Sequence, residues 1–206
     1  MARPGKVVSL VRKKVNLTHT PEPDDSWIHI EDFIGYPIPQ DLKKAYKGIV
    51  EFQTLDRFQI GEVIHEKPPY MNTYKAVVLT GGDKLRVLAS SLITEKDCEG
   101  HFPGCVMIPL MQFCKSMTLA GEIIAAYATY GPEVVPIASK TDGIKATSNK
   151  IISPPAVILS EAELLGDKGA FCFTRNSAWC SGRQVATIER VTYNLVPRKM
   201  IFDTKD

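Results

Sequence analysis

The chain has 206 residues, of which 44% are apolar and 23% charged, and its formal net charge is +2. This composition excludes an intrinsically disordered chain and supplies a normal core, in one domain with extensions or at most two small ones. The small charge, with no basic stripe interleaved with aromatics, gives no support for nucleic-acid binding, and no apolar run approaches the ~20 residues needed to span a membrane.

Residues 1–50 differ from the rest. The first twenty lack acids and carry Arg3, Lys6, Arg12, Lys13 and Lys14. They read as a solvated basic arm, with a mitochondrial transit peptide as the alternative. Five prolines punctuate this region (Pro4, Pro21, Pro23, Pro37, Pro39), and acids follow at Glu22, Asp24, Asp25, Glu31 and Asp32. The expectation is an extended arm and then a short helix near Asp41–Val50, with Pro39 just outside it and Asp41 in its first turn.

From residue 51 the pattern predicts strands over Phe58–Glu66, Asn72–Thr80 and Leu85–Thr94, the last two joined by a turn at Gly81–Lys84. A polar loop, Glu95–Gly100, leads into an apolar segment, Val106–Tyr127, too long for a strand and therefore a buried helix ended by Gly131-Pro132. Strands return at Gly143–Ile152, Ala156–Leu165, Ala170–Cys180 and Gln184–Val196. The turns at Gly166–Gly169 and Ser181-Gly182 make the last three an antiparallel meander. A helix apolar over most of its surface must be wrapped on most sides, which a strongly curved antiparallel sheet accomplishes. The expected class is α+β, with residues 51–196 as the folded domain, 1–50 as an arm and 197–206 as a tail.

The stretch that bears chemistry is Gly100-His101-Phe102-Pro103-Gly104-Cys105-Val106-Met107-Ile108-Pro109. It sets one histidine in a Gly/Pro-bounded loop just before the long helix. Gly100 and Gly104 permit unusual dihedrals and Pro103 removes freedom, so the turn can hold an imidazole rigidly. Imidazole titrates near neutral pH, and amides at a helix start can hold a developing oxyanion. A capping histidine at a tight corner is the structural alternative. The five cysteines contain no C-x-x-C pair, and there are only four histidines. A disulfide framework and a structural zinc site are therefore not expected, and the compartment reads as cytoplasmic. Cys105 and Cys114 read as packing residues, and Phe171, Phe173 and Trp179 as one strand face suited to core or tunnel packing.

The Gly-His-Phe-Pro-Gly pentapeptide, followed by Met-x-Pro and a long apolar helix, resembles the hot-dog-fold 3-hydroxyacyl-acyl-carrier-protein dehydratases of fatty-acid and polyketide synthesis. The resemblance covers roughly residues 51–196 and implies a hot-dog fold, a sheet wrapped around one central helix. It implies that His101 is the base that removes the α-proton of a 3-hydroxyacyl thioester. It also implies that an amide at the helix start, at Pro109-Leu110 beyond Gly104, holds the thioester carbonyl. An acidic residue contributed across a dimer interface would protonate the leaving hydroxyl. Here Leu110 stands where the family has glycine, and Lys115, fourteen residues after the histidine, stands where it has Glu or Asp. A lysine, with a reference pKa of about 10.4, is a poor general acid near neutral pH unless burial lowers that value.

On a helical wheel Gln112, Lys115 and Glu122 share one side, with Lys115 and Glu122 roughly 10 Å apart along the axis. They are expected to line the substrate groove. The implied partners are an acyl carrier protein or coenzyme A thioester and a second hot-dog chain, in a homodimer or heterodimer. No metal or organic cofactor is implied. The competing functions are a non-catalytic subunit paired with a catalytic homologue, and a hot-dog thioesterase or isomerase.

Overall fold

The computed structural model describes residues 23–46, 51–64, 72–80, 84–99, 107–126, 133–146 and 151–202. The elements in chain order are α1 (Pro23–Ile34), α2 (Gln40–Ala45), β1 (Phe52–Asp56), α3 (Arg57–Ile64), β2 (Thr73–Leu79), β3 (Arg86–Ile93) and α4 (Glu95–Glu99). They continue with α5 (Leu110–Ile123), β4 (Val134–Ala146), β5 (Ala156–Lys168), β6 (Phe171–Cys180), β7 (Arg183–Pro197) and α6 (Lys199–Phe202). The strands form one seven-stranded sheet in the order β1-β2-β3-β5-β6-β7-β4, antiparallel at every pairing.

The expected arrangement of a curved antiparallel sheet around one helix is found. Helix α5 packs against β2, β3, β4, β5, β6 and β7, which requires the sheet to bend around it. Phe113, Met117, Leu119, Ile123 and Ile124 are buried there, and full burial of a side chain of this kind contributes roughly 1.5–3 kcal/mol. The core divides along the helix. Its first half shares a cluster with Ile93, Ile158 and Ile188, while Leu119, Ala120 and Ile123 pack with Leu55, Val78, Val87 and Ile60.

Several elements differ from expectation for identifiable reasons. The expected strand over Phe58–Glu66 is helix α3, preceded by β1, which the pattern did not predict. Its start is a reciprocal cap. The Gln59 amide donates to Asp56 Oδ1 (2.9 Å) and the Asp56 amide to Gln59 Oε1 (2.8 Å), and this Asp-x-x-Gln signature is legible in sequence. The expected extended arm includes helix α1. Pro23, Asp24 and Asp25 occupy its first turn, and Trp27, Ile30 and Ile34 recur at helical spacing on its buried side. Together with Tyr36, Ile38 and Leu42 they cover the outer face of the sheet at Val77, Leu79, Leu88 and Leu159.

The strand expected at Gly143–Ile152 starts at Val134 and runs through Pro136, which pairs with Leu195. Proline is tolerated there because β4 is an edge strand and needs no amide on its open side. The turn expected at Gly166–Gly169 narrows to Gly169-Ala170, because Gly166 pairs across a bulge with Phe173. Ser181 and Gly182, with φ of 51° and 72°, make a two-residue hairpin of the type that matches strand twist.

The face expected to hold Phe171, Phe173 and Trp179 against the core is the outer one. Phe171 is 44% exposed and Phe173 stacks under the Arg190 guanidinium (4.2 Å), whereas Cys172, Thr174, Asn176 and Ala178 point inward. Trp179, beyond a bulge, is buried beside the N-terminal helices. Most of the Gly81–Lys84 turn (residues 81–83) lies outside the described residues.

Candidate functional site at the start of the central helix

The site is framed by α4 and the first turns of α5. Thr94 leaves β3 and caps α4 with Asp97. The Thr94 amide and Oγ1 each donate to Asp97 Oδ2 (2.7 Å), and the Asp97 amide returns a bond to the Thr94 carbonyl (3.1 Å). The expected polar loop Glu95–Gly100 is thus helical over Glu95–Glu99. The Asp97 carboxylate is taken up by this cap. His101 and Gly104 lie outside the described residues.

Helix α5 begins at Leu110, later than the expected Val106–Met107, for two reasons. The Ile108 amide bonds to the Ile152 carbonyl (2.7 Å), and Pro109 is the N-cap in an extended conformation (φ −65°, ψ 151°). Pro109, as N-cap, supplies no side-chain cap to this end. An uncapped helix start presents amides and the positive end of the helix dipole, equivalent to roughly half a unit charge. Met107, Leu110 and Met111 are 46%, 41% and 60% exposed, an apolar rim around the first turn.

Gln112, Lys115 and Glu122, expected on one side, are separated by burial. Gln112 is buried, and its Nε2 donates to the Asp97 carbonyl (2.7 Å), tying α5 to α4. Its Oε1 is buried with no hydrogen-bond partner among the described residues. Lys115 lies on the exposed side of the helix, and Glu122 is half-buried. The negative charge of Glu122, after burial itself, helps raise the Tyr193 hydroxyl well above the usual tyrosine value. Cys114 is half-buried and desolvation raises its thiol, which disfavours the thiolate and fits the packing role.

Sequence inspection missed what anchors the helix from below. Asn176 Nδ2 donates to the Met117 carbonyl, Thr174 Oγ1 to Asn176 Oδ1, and Tyr193 Oη to the Thr118 carbonyl (2.8 Å). Gly121 makes room for this, since a Cβ there would stand 2.1 Å from Tyr193 Oη. The consecutive polar run Thr174-Arg175-Asn176-Ser177, inside an otherwise apolar strand, was the available signal. Among the described residues no group of three or more His, Cys, Asp or Glu could hold a metal, and no helix is long and apolar enough to cross a membrane.

No family model matches the chain. It is 23% identical over 130 residues to the 3-hydroxyacyl-[acyl-carrier-protein] dehydratase FabZ of Caldicellulosiruptor saccharolyticus, covering 63% of this chain and 91% of that protein. The structure is similar to the dehydratase heterocomplex ApeI:P from Xenorhabdus doucetiae, with a TM-score of 0.53 at 10% identity, covering 71% of this chain and 97% of that one. A mutant thioesterase from Pseudomonas aeruginosa aligns with a TM-score of 0.49 at 12% identity, over 70% of this chain and 96% of that one. The chain has the hot-dog fold, a curved antiparallel sheet around one central helix, as the likeness to that dehydratase complex shows.

Proposed function

We propose that the chain handles acyl thioesters as a 3-hydroxyacyl-thioester dehydratase-like protein, in fatty-acid or polyketide synthesis and in the cytoplasm. The observation that carries this is the position of the motif. Gly100-His101-Phe102-Pro103-Gly104 lies in the chain between α4 and the uncapped start of the central hot-dog helix, and the same chain aligns along 130 residues with a dehydratase of this class. Residues 51–196 are the acyl-handling unit, flanked by the arm 1–50 and the tail 197–206. The substrate is carried by an acyl carrier protein or coenzyme A.

In this reaction His101 takes the proton from C2 of the thioester. The negative charge moves to the thioester oxygen, where the Leu110 amide and the helix dipole hold it. The C3–O bond then breaks, and the leaving hydroxyl takes a proton from a general acid, the role the resemblance gives to the position of Lys115 in a second chain, and departs as water, leaving the 2-enoyl thioester. Acid–base groups and an oxyanion site suffice for these steps, and no cofactor is invoked. Lys115 stands on the exposed side of α5, where a second subunit can be met. The thirteen-residue edge strand β4, with Ile137 and Ile144 exposed, and the apolar rim at Met107, Leu110 and Met111 suit burial against such a subunit.

A second reading is a non-catalytic subunit paired with a catalytic hot-dog homologue. It is favoured by Lys115 at the position where the resemblance calls for a carboxyl group, and by the similarity to a dehydratase that is a heterocomplex. The test is to incubate the purified chain with coenzyme A and carrier-protein 3-hydroxyacyl thioesters, following 2-enoyl formation and free thiol release separately. Enoyl product supports dehydration, thiol release supports a thioesterase, and neither supports the partner subunit. Lys115→Glu restores a carboxyl group and is expected to raise dehydration by up to about 10²-fold. An unchanged rate removes Lys115 from the chemistry.

A further inference from the structure

The buried side-chain amide of Gln112 asks for a ligand. Gln112 is only 6% exposed, in the first turn of a helix whose start no side chain caps. Its orientation is set, because the Asp97 carbonyl needs a donor and Nε2 supplies it at 2.7 Å. Rotating the amide would bring two acceptors together and lose that bond. Oε1 is therefore the acceptor, buried and without a partner among the described residues. Buried polar groups are almost always paired, and an orphan acceptor is a feature to be explained by what it meets in function.

An acceptor takes a donor, and the surroundings narrow the donor's kind. The rim at Met107, Leu110 and Met111 is apolar and exposed, which suits an alkyl chain and repels a charged group. The helix-start amides suit a carbonyl oxygen. A ligand that offers a carbonyl, an alkyl chain and one neutral donor close to the carbonyl satisfies all three. A 3-hydroxyacyl thioester does so, with its hydroxyl two carbons from the carbonyl carbon. Saturated and 2-enoyl thioesters lack the donor.

We infer that Gln112 is a specificity-determining residue whose Oε1 accepts a hydrogen bond from the hydroxyl of a bound 3-hydroxyacyl thioester. This rests on the thioester reading above and adds the group that distinguishes substrate from its dehydrated product. When the hydroxyl leaves as water, Oε1 is orphaned again, so product is held less tightly than substrate.

The test is equilibrium binding to the full chain carrying His101→Ala, which blocks turnover. The probes are 3-hydroxyoctanoyl-, 3-fluorooctanoyl- and octanoyl-coenzyme A; fluorine resembles the hydroxyl in size and donates no proton. The hydroxy thioester is expected to bind about tenfold more tightly than the other two. In the same chain, the Gln112 side-chain amide resonance should shift with the hydroxy ligand and not with the fluoro ligand. Gln112→Met, which retains length and apolar packing, should reduce the preference to about one, read as the ratio of affinities within that variant so that a general change in affinity cancels. Equal binding of all three, an unmoved Gln112 resonance, or a preference that survives Gln112→Met overturns the inference and leaves thioester binding standing. Binding of none of them overturns both.

Discussion

The two halves of α5 are held in opposite ways. Toward its C-terminal end the helix is fastened to the sheet. Asn176 and Tyr193 bond to the Met117 and Thr118 carbonyls, and Gly121 lets the tyrosine ring approach. At its N-terminal end the N-cap Pro109 supplies no side-chain cap, the rim is apolar and exposed, and Gln112 carries a buried acceptor without a partner among the described residues. A satisfied buried network rigidifies a fold, whereas an unsatisfied one is a reservoir that a ligand can complete. The contrast shows one half of the helix fastened by buried hydrogen bonds, while the proposed chemistry falls at the other.

That division can be broken experimentally. His101→Ala, in the motif that precedes α5 in the sequence, should lower turnover of a 3-hydroxyacyl thioester by about 10²–10⁴-fold, the usual contribution of general acid–base assistance. The thermal midpoint should stay unchanged. A large fall in midpoint with full residual activity would reverse the assignment.

Gly121→Ala should act in the opposite sense. The added methyl meets the Tyr193 hydroxyl at 2.1 Å, so the ring must move or the helix must lift, and the bond to the Thr118 carbonyl is lost. Overpacking together with a broken buried hydrogen bond costs roughly 2–4 kcal/mol. Chemical denaturation measures this directly, and a loss under about 0.5 kcal/mol, the range of ordinary surface changes, contradicts the anchoring role.

The smallest effect concerns the outer face of the sheet, remote from both halves of α5. There Arg86 reaches Glu161 (3.2 Å) and Glu163 (3.0 Å), while Tyr46 donates to Glu161 (3.1 Å) and lies under the Arg86 guanidinium (4.6 Å). Burial pushes the Glu161 carboxyl above the usual glutamate range, more than Arg86 and Tyr46 lower it, and the nearby Glu163 adds to the rise. A raised folded-state value means that the contribution of Glu161 to stability is present in full below the ordinary glutamate value. It is lost as pH rises through the raised one. Relative to Glu161→Gln, which leaves Arg86 with Glu163, the wild-type chain should gain stability as pH is lowered from about 7 to about 4. A gain in the reverse direction places the folded-state value below the ordinary one.

Local pattern alone identified the long apolar helix, the closing meander and the hairpin at Ser181-Gly182, because each rests on short-range chemistry. A run of Ala, Met, Leu and Ile longer than any strand must be a buried helix, and residues that favour positive φ mark a tight turn. The Gly-His-Phe-Pro-Gly motif likewise pointed to thioester chemistry before any fold was known. Other features depended on partners far away in the chain. Pro136 reads as a breaker until the sheet order places β4 at an edge, where its missing amide faces no neighbour. Phe171 and Phe173 alternate as a core face would, yet the sheet turns their side outward and buries Thr174 and Asn176 beneath the helix. Gln112 shares a helical-wheel side with Lys115, yet α4 packs beside the first turn and separates the two by burial. Periodicity states which residues share a face, and only the packing of distant elements decides what that face meets.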